Sequence, residues 1–154
     1  MKLNVGDPAP AFQARTTDGT EVGLQDFRGK KLVLYFYPKD DTPGCTRQAC
    51  SLRDYNDEIR AKGAAVLGVS TQDVASHQKF TAKYGLNFPL LADEGGHVAR
   101  AYGAMGGGGL LSQAKSLAGI ADRVTFIIDE EGRIAHIIDK PNVGSHAQEV
   151  LALL

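Results

Sequence analysis

A chain of 154 residues that is 43% hydrophobic can bury one sizeable core without a covalent staple, so a single domain over residues 1–154 is expected and its two cysteines are not needed for folding. The net charge of −1 offers no basic stripe for nucleic acid, and the longest apolar runs are too short to cross a bilayer, so neither nucleic acid nor membrane is expected as a partner. The N-terminal stretch MKLNVGDPAPAF lacks the apolar segment of a signal peptide, and two cysteines do not make a secreted disulfide framework; a reducing, cytoplasmic setting is the expectation, although a mature chain whose leader had been removed would read the same way.

No period of about 20 to 50 residues repeats, and no charged or Pro/Ser-rich linker divides the chain. Residues 11–24 read as two short strand-like pieces around a turn at Thr17-Asp18-Gly19, an N-terminal hairpin extension. KLVLYFYP, ending at Pro38, is apolar on both alternating faces, the pattern of a central strand buried on both sides. A helix is predicted from about Pro43 to Lys62, closed by Gly63, followed by the strand AAVLGVS. Ser70 and Asp73 make a capping-box-like start to a second helix that reaches Tyr84 and stops at Gly85. NFPLLAD reads as a short strand, Gly96 to Tyr102 as a short helix, and Leu110 to Ala121 as either helix or loop. Between them, Gly106 to Gly109 lacks the Lys-Ser/Thr of a P-loop and the spacing of a dinucleotide fingerprint, so a mobile loop is expected there. RVTFIID, the turn EEG and RIAHIID predict a hairpin, and SHAQEVLALL a final amphipathic helix. This order is that of an α/β, thioredoxin-like fold: a mixed central sheet flanked by helices.

Both cysteines lie in DDTPGCTRQACSLRD, residues 40–54. With Thr42 as N-cap and Pro43 in the first helical position, Cys45 falls in the first turn, where free amides and the positive end of the helix dipole favour a thiolate over a thiol. The competing reading makes Cys45 a small buried hydrophobe, which would have no use for a capped turn. Cys50 lies five residues on, so its Cα would stand about 8.6 Å from that of Cys45 in an ideal helix. A disulfide needs less than about 7 Å, so joining the pair requires the first turn to unwind. Alternatively, Cys50 is a core residue on the inner helix face. A zinc site is disfavoured because no second Cys/His pair accompanies the cysteines. His77, His97, His136 and His146 fall on different predicted elements, His146 as a cap or surface residue before the last helix. The charges of RDYNDEIRAK read as a solvated helix face.

YFYPKDDTPGCTRQAC resembles the active-site stretch of peroxiredoxins, in particular the bacterioferritin comigratory protein or peroxiredoxin Q branch. Pro38, Thr42 and Cys45 match the pattern Pro-x-x-x-Thr-x-x-Cys, and Cys50 matches the second cysteine of the branch. The agreement continues through VGDPAPAF, DFRGKKLVLYFYP, FPLLAD, RVTFIID and HAQEVL.

The resemblance implies a thiol peroxidase acting on hydrogen peroxide and organic hydroperoxides, with no metal, haem or flavin cofactor. Cys45 would attack the terminal peroxide oxygen and become a sulfenic acid. Thr42 would hold peroxide and thiolate in line, Pro38 would shield the sulfur from water, and Arg123 would stabilise the thiolate and the transition-state charge. The amides around Gly44 and Cys45 would complete the donor set. From residues alone Arg28, Arg47 and Arg53 compete with Arg123. Cys50 would be the resolving thiol, forming an intramolecular disulfide that thioredoxin or a similar dithiol reduces. A monomer is expected because the cycle can close within one chain, a scheme equally compatible with a dimer. Two other functions fit parts of the pattern: a thioredoxin-like disulfide exchanger, which usually carries Cys-x-x-Cys, and a peroxide-responsive redox sensor. The glycine run departs from the branch, where a bulky residue and polar side chains are expected.

Overall fold

Strand β3, Lys31–Phe36, lies at the centre of the molecule because it has no polar face to offer water: Leu32, Val33, Leu34, Tyr35 and Phe36 are all buried. The structure, a computed structural model, describes residues 3–106 and 110–154; Gly107 to Gly109 of the expected mobile loop lie outside the described residues. On one side β3 pairs in parallel with β4, Ala64–Ser70, and β4 in parallel with β5, Leu90–Ala92. On the other it pairs antiparallel with β6, Val124–Ile128, which forms the expected hairpin with β7, Ile134–Ile138. The order β5-β4-β3-β6-β7 is the mixed sheet read from the sequence. The short antiparallel pair β1, Gln13–Arg15, and β2, Glu21–Gly23, is the N-terminal hairpin.

Two apolar layers follow from the strand alternation. Leu32, Leu34 and Phe36 pack with Leu67, Tyr102 and Phe126 on one face, while Val33, Tyr35 and Tyr37 pack with Cys45, Leu52, Ile59 and Val150 on the other. The second layer is covered by α1, Pro43–Asp54, whose buried residues Cys45, Gln48, Ala49 and Leu52 recur at helical spacing. The first thiol is thus on the inward stripe of its helix. Cys50 is off that stripe and half-buried, which rules out the core reading for it.

Two of these expectations change in detail. The helix predicted to reach Lys62 is two helices, α1 and α2, Asn56–Ala61, separated at Tyr55 (φ −113°, ψ 12°). The break allows buried Asn56 to donate from Nδ2 to the backbone oxygen of Asn87 at 3.1 Å, a tie to the segment before β5. Gly63, at φ +77°, ends the pair as expected. Helix α3, Val74–Tyr84, is capped by Asp73, whose carboxylate accepts from the Ser76 amide at 2.8 Å; Ser70 has no part in the cap because it is the last residue of β4. Gly85 closes α3 in the left-handed conformation.

Helix α4, His97–Ala101, lies within the predicted span. The segment left as helix or loop is helical over α5, Leu110–Leu117, which exposes Leu110, Leu111 and Leu117 and half-buries Lys115 and Ser116. Helix α6, His146–Leu151, is the final amphipathic helix, shorter than its predicted run.

Candidate active site

The sheet register brings the site together. Phe36 at the end of β3 is opposite Val124 at the start of β6, so Tyr37 and Arg123 leave their strands side by side. From Tyr37 the chain passes through Pro38 and a short loop into α1. Thr42 takes the N-cap position with extended backbone (φ −95°, ψ 155°), and Pro43 follows in the first turn, as the sequence indicates.

Cys45 is only 1% exposed, and Arg123 Nη2 donates to its Sγ at 3.3 Å. The other arm of the guanidinium, Nη1, donates to Gln48 Oε1 at 2.7 Å, and Gln48 is fully buried. One planar cation is therefore held by a side chain one helical turn beyond the sulfur it touches. The Gln48 Nε2 amide has no partner among the described residues. Gly44 leaves room for this approach: a Cβ there would stand 3.1 Å from Arg123 Nη2, and the guanidinium would have to give by a few tenths of an ångström.

Thr42 departs from one expectation. Its hydroxyl does not cap the helix but donates to the Lys39 carbonyl at 2.9 Å. The first-turn amides of Gly44 and Cys45, which have no partner within the helix, are thereby left to a ligand or to the sulfur. Pro38 is half-buried at the start of the loop. The competing arginines go elsewhere. Arg53 donates to the Tyr84 carbonyl at 2.6 Å and pairs with Asp54, the Arg47 guanidinium lies against Gly144, and Arg28 is exposed.

Both thiols are free, and α1 runs unbroken through Cys45 and Cys50. The intact helix keeps their Cα atoms about 8.6 Å apart, too far for a bond. Tyr35, under the site, has its phenol held well above the usual range, chiefly by burial, so it stays neutral.

His146 corrects the expectation of a cap or surface residue. It is fully buried, with Nδ1 2.9 Å from Glu149 Oε1 and Nε2 2.9 Å from Thr125 Oγ1, and the next amide, Ala147, donates to Ser51 Oγ of α1 at 3.0 Å. Burial pushes its imidazole below the ordinary 6.5 against the upward pull of Glu149, and Arg123 adds to the lowering. The unfolded chain therefore takes up a proton that the folded one resists. Stability is complete above about 6.5 and falls as the pH drops below it toward the folded value. Tm should decline as the pH falls below about 6.5, and decline less in His146→Gln; equal declines in a calorimetric scan would remove His146 from the acid response.

Sequence reasoning missed Gln48, although its place three residues after Cys45 on an amphipathic helix was a usable signal. It also missed Asp40 and His77, which meet at 2.6 Å in the interior; nothing in their 37-residue separation announces the contact.

A mixed five-stranded sheet with a buried thiol in the first turn of the helix after its central strand defines a thioredoxin-like thiol fold. The chain matches the AhpC/TSA family over residues 5–137. It is 42% identical over 149 residues to peroxiredoxin Bcp of Escherichia coli, covering 97% of this chain and 94% of that one. Among solved structures it is similar to a cysteine-to-serine mutant of Xylella fastidiosa PrxQ (31% identical, TM-score 0.88, covering 99% and 95% of the two chains). It is also similar to the bacterioferritin comigratory protein of Xanthomonas campestris, described for its alkyl peroxide reduction activity (34% identical, TM-score 0.81, covering 92% and 88%). The chain belongs to the AhpC/TSA family of peroxiredoxins, in its bacterioferritin comigratory protein or peroxiredoxin Q branch.

Proposed function

We propose that this peroxiredoxin reduces hydrogen peroxide and organic hydroperoxides through Cys45, is resolved by Cys50 as an intramolecular disulfide, and is recycled by thioredoxin or a similar dithiol. The observation that carries the reading is the 3.3 Å contact between a buried thiol in the first turn of α1 and a guanidinium fixed by a second hydrogen bond. The Cys45 thiolate attacks the terminal peroxide oxygen, the O–O bond breaks, and the departing oxygen leaves as water or alcohol after taking a proton. Arg123 and the Gly44 and Cys45 amides stabilise charge spread over the two oxygens, Thr42 orients the peroxide, and Pro38 limits water at the sulfur. The sulfur is left as a sulfenic acid.

Cys50 then attacks that sulfur and expels water. The off-stripe position of Cys50 and the intact helix supply the condition for this step: the first turn of α1 unwinds before the S–S bond forms. A dithiol reduces the bond by exchange, and α1 refolds. The cycle closes within one domain and one chain, so a monomer suffices. No helix among the described residues is long and apolar enough to cross a membrane.

Intact mass and a peptide map after reduced protein meets one equivalent of hydrogen peroxide test the scheme. The expected product has lost two hydrogens and carries a Cys45–Cys50 bond. An unchanged mass would defeat the peroxidase reading, and a lasting added oxygen on Cys45 would remove Cys50 from the cycle.

A further inference from the structure

The loop that precedes Cys45 is tied to α3 by a buried ionisable cluster that the peroxidase scheme does not use. Asp40 is 8% exposed and His77 is fully buried. His77 Nε2 lies 3.0 Å from the Leu91 carbonyl, which can only accept, so Nε2 carries a hydrogen. Nδ1 lies 2.6 Å from Asp40 Oδ2, which requires a further proton between them. Whichever atom holds that proton, the pair as a whole has no net charge, and its burial does not leave an unpaired ion. The same carboxylate accepts from Tyr37 Oη at 2.6 Å and from Ser76 Oγ at 2.7 Å. Three donors from β3's end and from α3 thus converge on one loop side chain.

The peptide unit joining Lys39 and Asp40 is where this anchoring meets the site. Its N–H, on Asp40, donates to Gln72 Oε1 at 3.0 Å, and its C=O, on Lys39, accepts from the Thr42 hydroxyl at 2.9 Å. A planar peptide cannot turn one of these groups without turning the other. Gln72 Nε2 also reaches the Pro38 carbonyl at 3.3 Å, and Asp41, held at φ +58°, accepts from Lys83 and Tyr84 of α3 at 2.8 and 2.7 Å. Pro38 and Thr42 are therefore at the two ends of a loop whose orientation is set from α3.

We infer that the buried Asp40–His77 pair is a positioning element for peroxide reduction, fixing the Lys39–Asp40 peptide and through it the hydroxyl of Thr42. It acts on the placement of the peroxide and not on the sulfur, which is held separately by Arg123 and the start of α1. It also makes Asp40 the fixed end from which the first turn of α1 unwinds. The inference rests on the peroxidase reading.

Stopped-flow oxidation of the reduced enzyme by hydrogen peroxide, paired with ultraviolet titration of the Cys45 thiolate, tests it. Asp40→Ala and His77→Ala should slow oxidation about 10- to 100-fold while leaving the thiolate titration where it is in the parent. Asp40→Asn, which can still accept from Tyr37 and donate to a neutral His77, should recover most of the rate lost in Asp40→Ala. The double alanine variant should be no slower than the slower single one, as for two halves of one unit. Folded variants oxidised within about twofold of the parent rate would overturn the inference, as would a rate loss accompanied by a matching move of the titration. If the alanine variants do not fold, hydrogen exchange on the oxidised parent decides: the Asp40 amide should stay protected while the first turn of α1 exchanges, and equal exchange would overturn the anchor. A parent enzyme that peroxide fails to oxidise would instead defeat the peroxidase reading, and the anchor with it.

Discussion

Cys45→Ser should bring peroxide consumption down to the rate of protein-free buffer, because a serine hydroxyl in the same position is almost wholly protonated near neutral pH and is a far weaker nucleophile. Cys50→Ser should behave differently. Its first equivalent of peroxide should be consumed at the parent rate, after which Cys45 accumulates as sulfenic and then sulfinic acid unless a free thiol is supplied. Single-turnover peroxide loss and mass spectrometry separate the two steps. Equal loss of the first turnover in both variants would end the division of labour, since Cys50 is half-buried, off the inward stripe of α1 and free of any bond to Cys45.

Arg123→Met should lower the rate constant for Cys45 oxidation by about 10²- to 10³-fold, the usual result of removing one fixed donor from a site where negative charge spreads in the transition state. Lysine should not restore it. A point-like ammonium lacks the planar fork whose two arms reach Sγ and Gln48 Oε1 at 3.3 and 2.7 Å. Gln48→Leu should produce a smaller loss, and combining it with Arg123→Met should add little to the arginine change alone, because Gln48 acts through the guanidinium. A peroxide oxidation rate in Arg123→Lys equal to that of the parent would show that net charge, and not the fork geometry, is what Cys45 requires.

The sheet was legible in the chain because its signals are local and redundant. KLVLYFYP has no polar face, RVTFIID and RIAHIID flank a short turn, and each pattern admits one placement. Cys45 was legible for a similar reason: Thr42, Pro43 and Gly44 mark a helix start without reference to anything distant. The break at Tyr55 was not, because the bond that accompanies it runs from Asn56 to distant Asn87, within a stretch whose own propensities continue the helix. Arg123 could be singled out over Arg28, Arg47 and Arg53 by resemblance alone; the structural reason, the pairing of Phe36 with Val124, appears only when β3 and β6 are set side by side. Asp40 and His77 were wholly hidden. Aspartate in a turn and histidine on a polar helix each have an ordinary surface explanation, and their meeting is a property of the fold.

Gly44 shows how one missing methyl group sets the terms on which this chain can change. Alanine would suit a helix better by up to about 1 kcal/mol, so substitution at this position should be rewarded in any search for greater heat resistance. Yet its Cβ would stand 3.1 Å from Nη2, so the cation that faces Sγ would have to give by a few tenths of an ångström. Selection for durability and selection for turnover therefore pull this residue in opposite directions. A glycine in the first turn also lowers the intrinsic helix propensity of that turn, so the proposed opening of α1 would take less work than it would with alanine there.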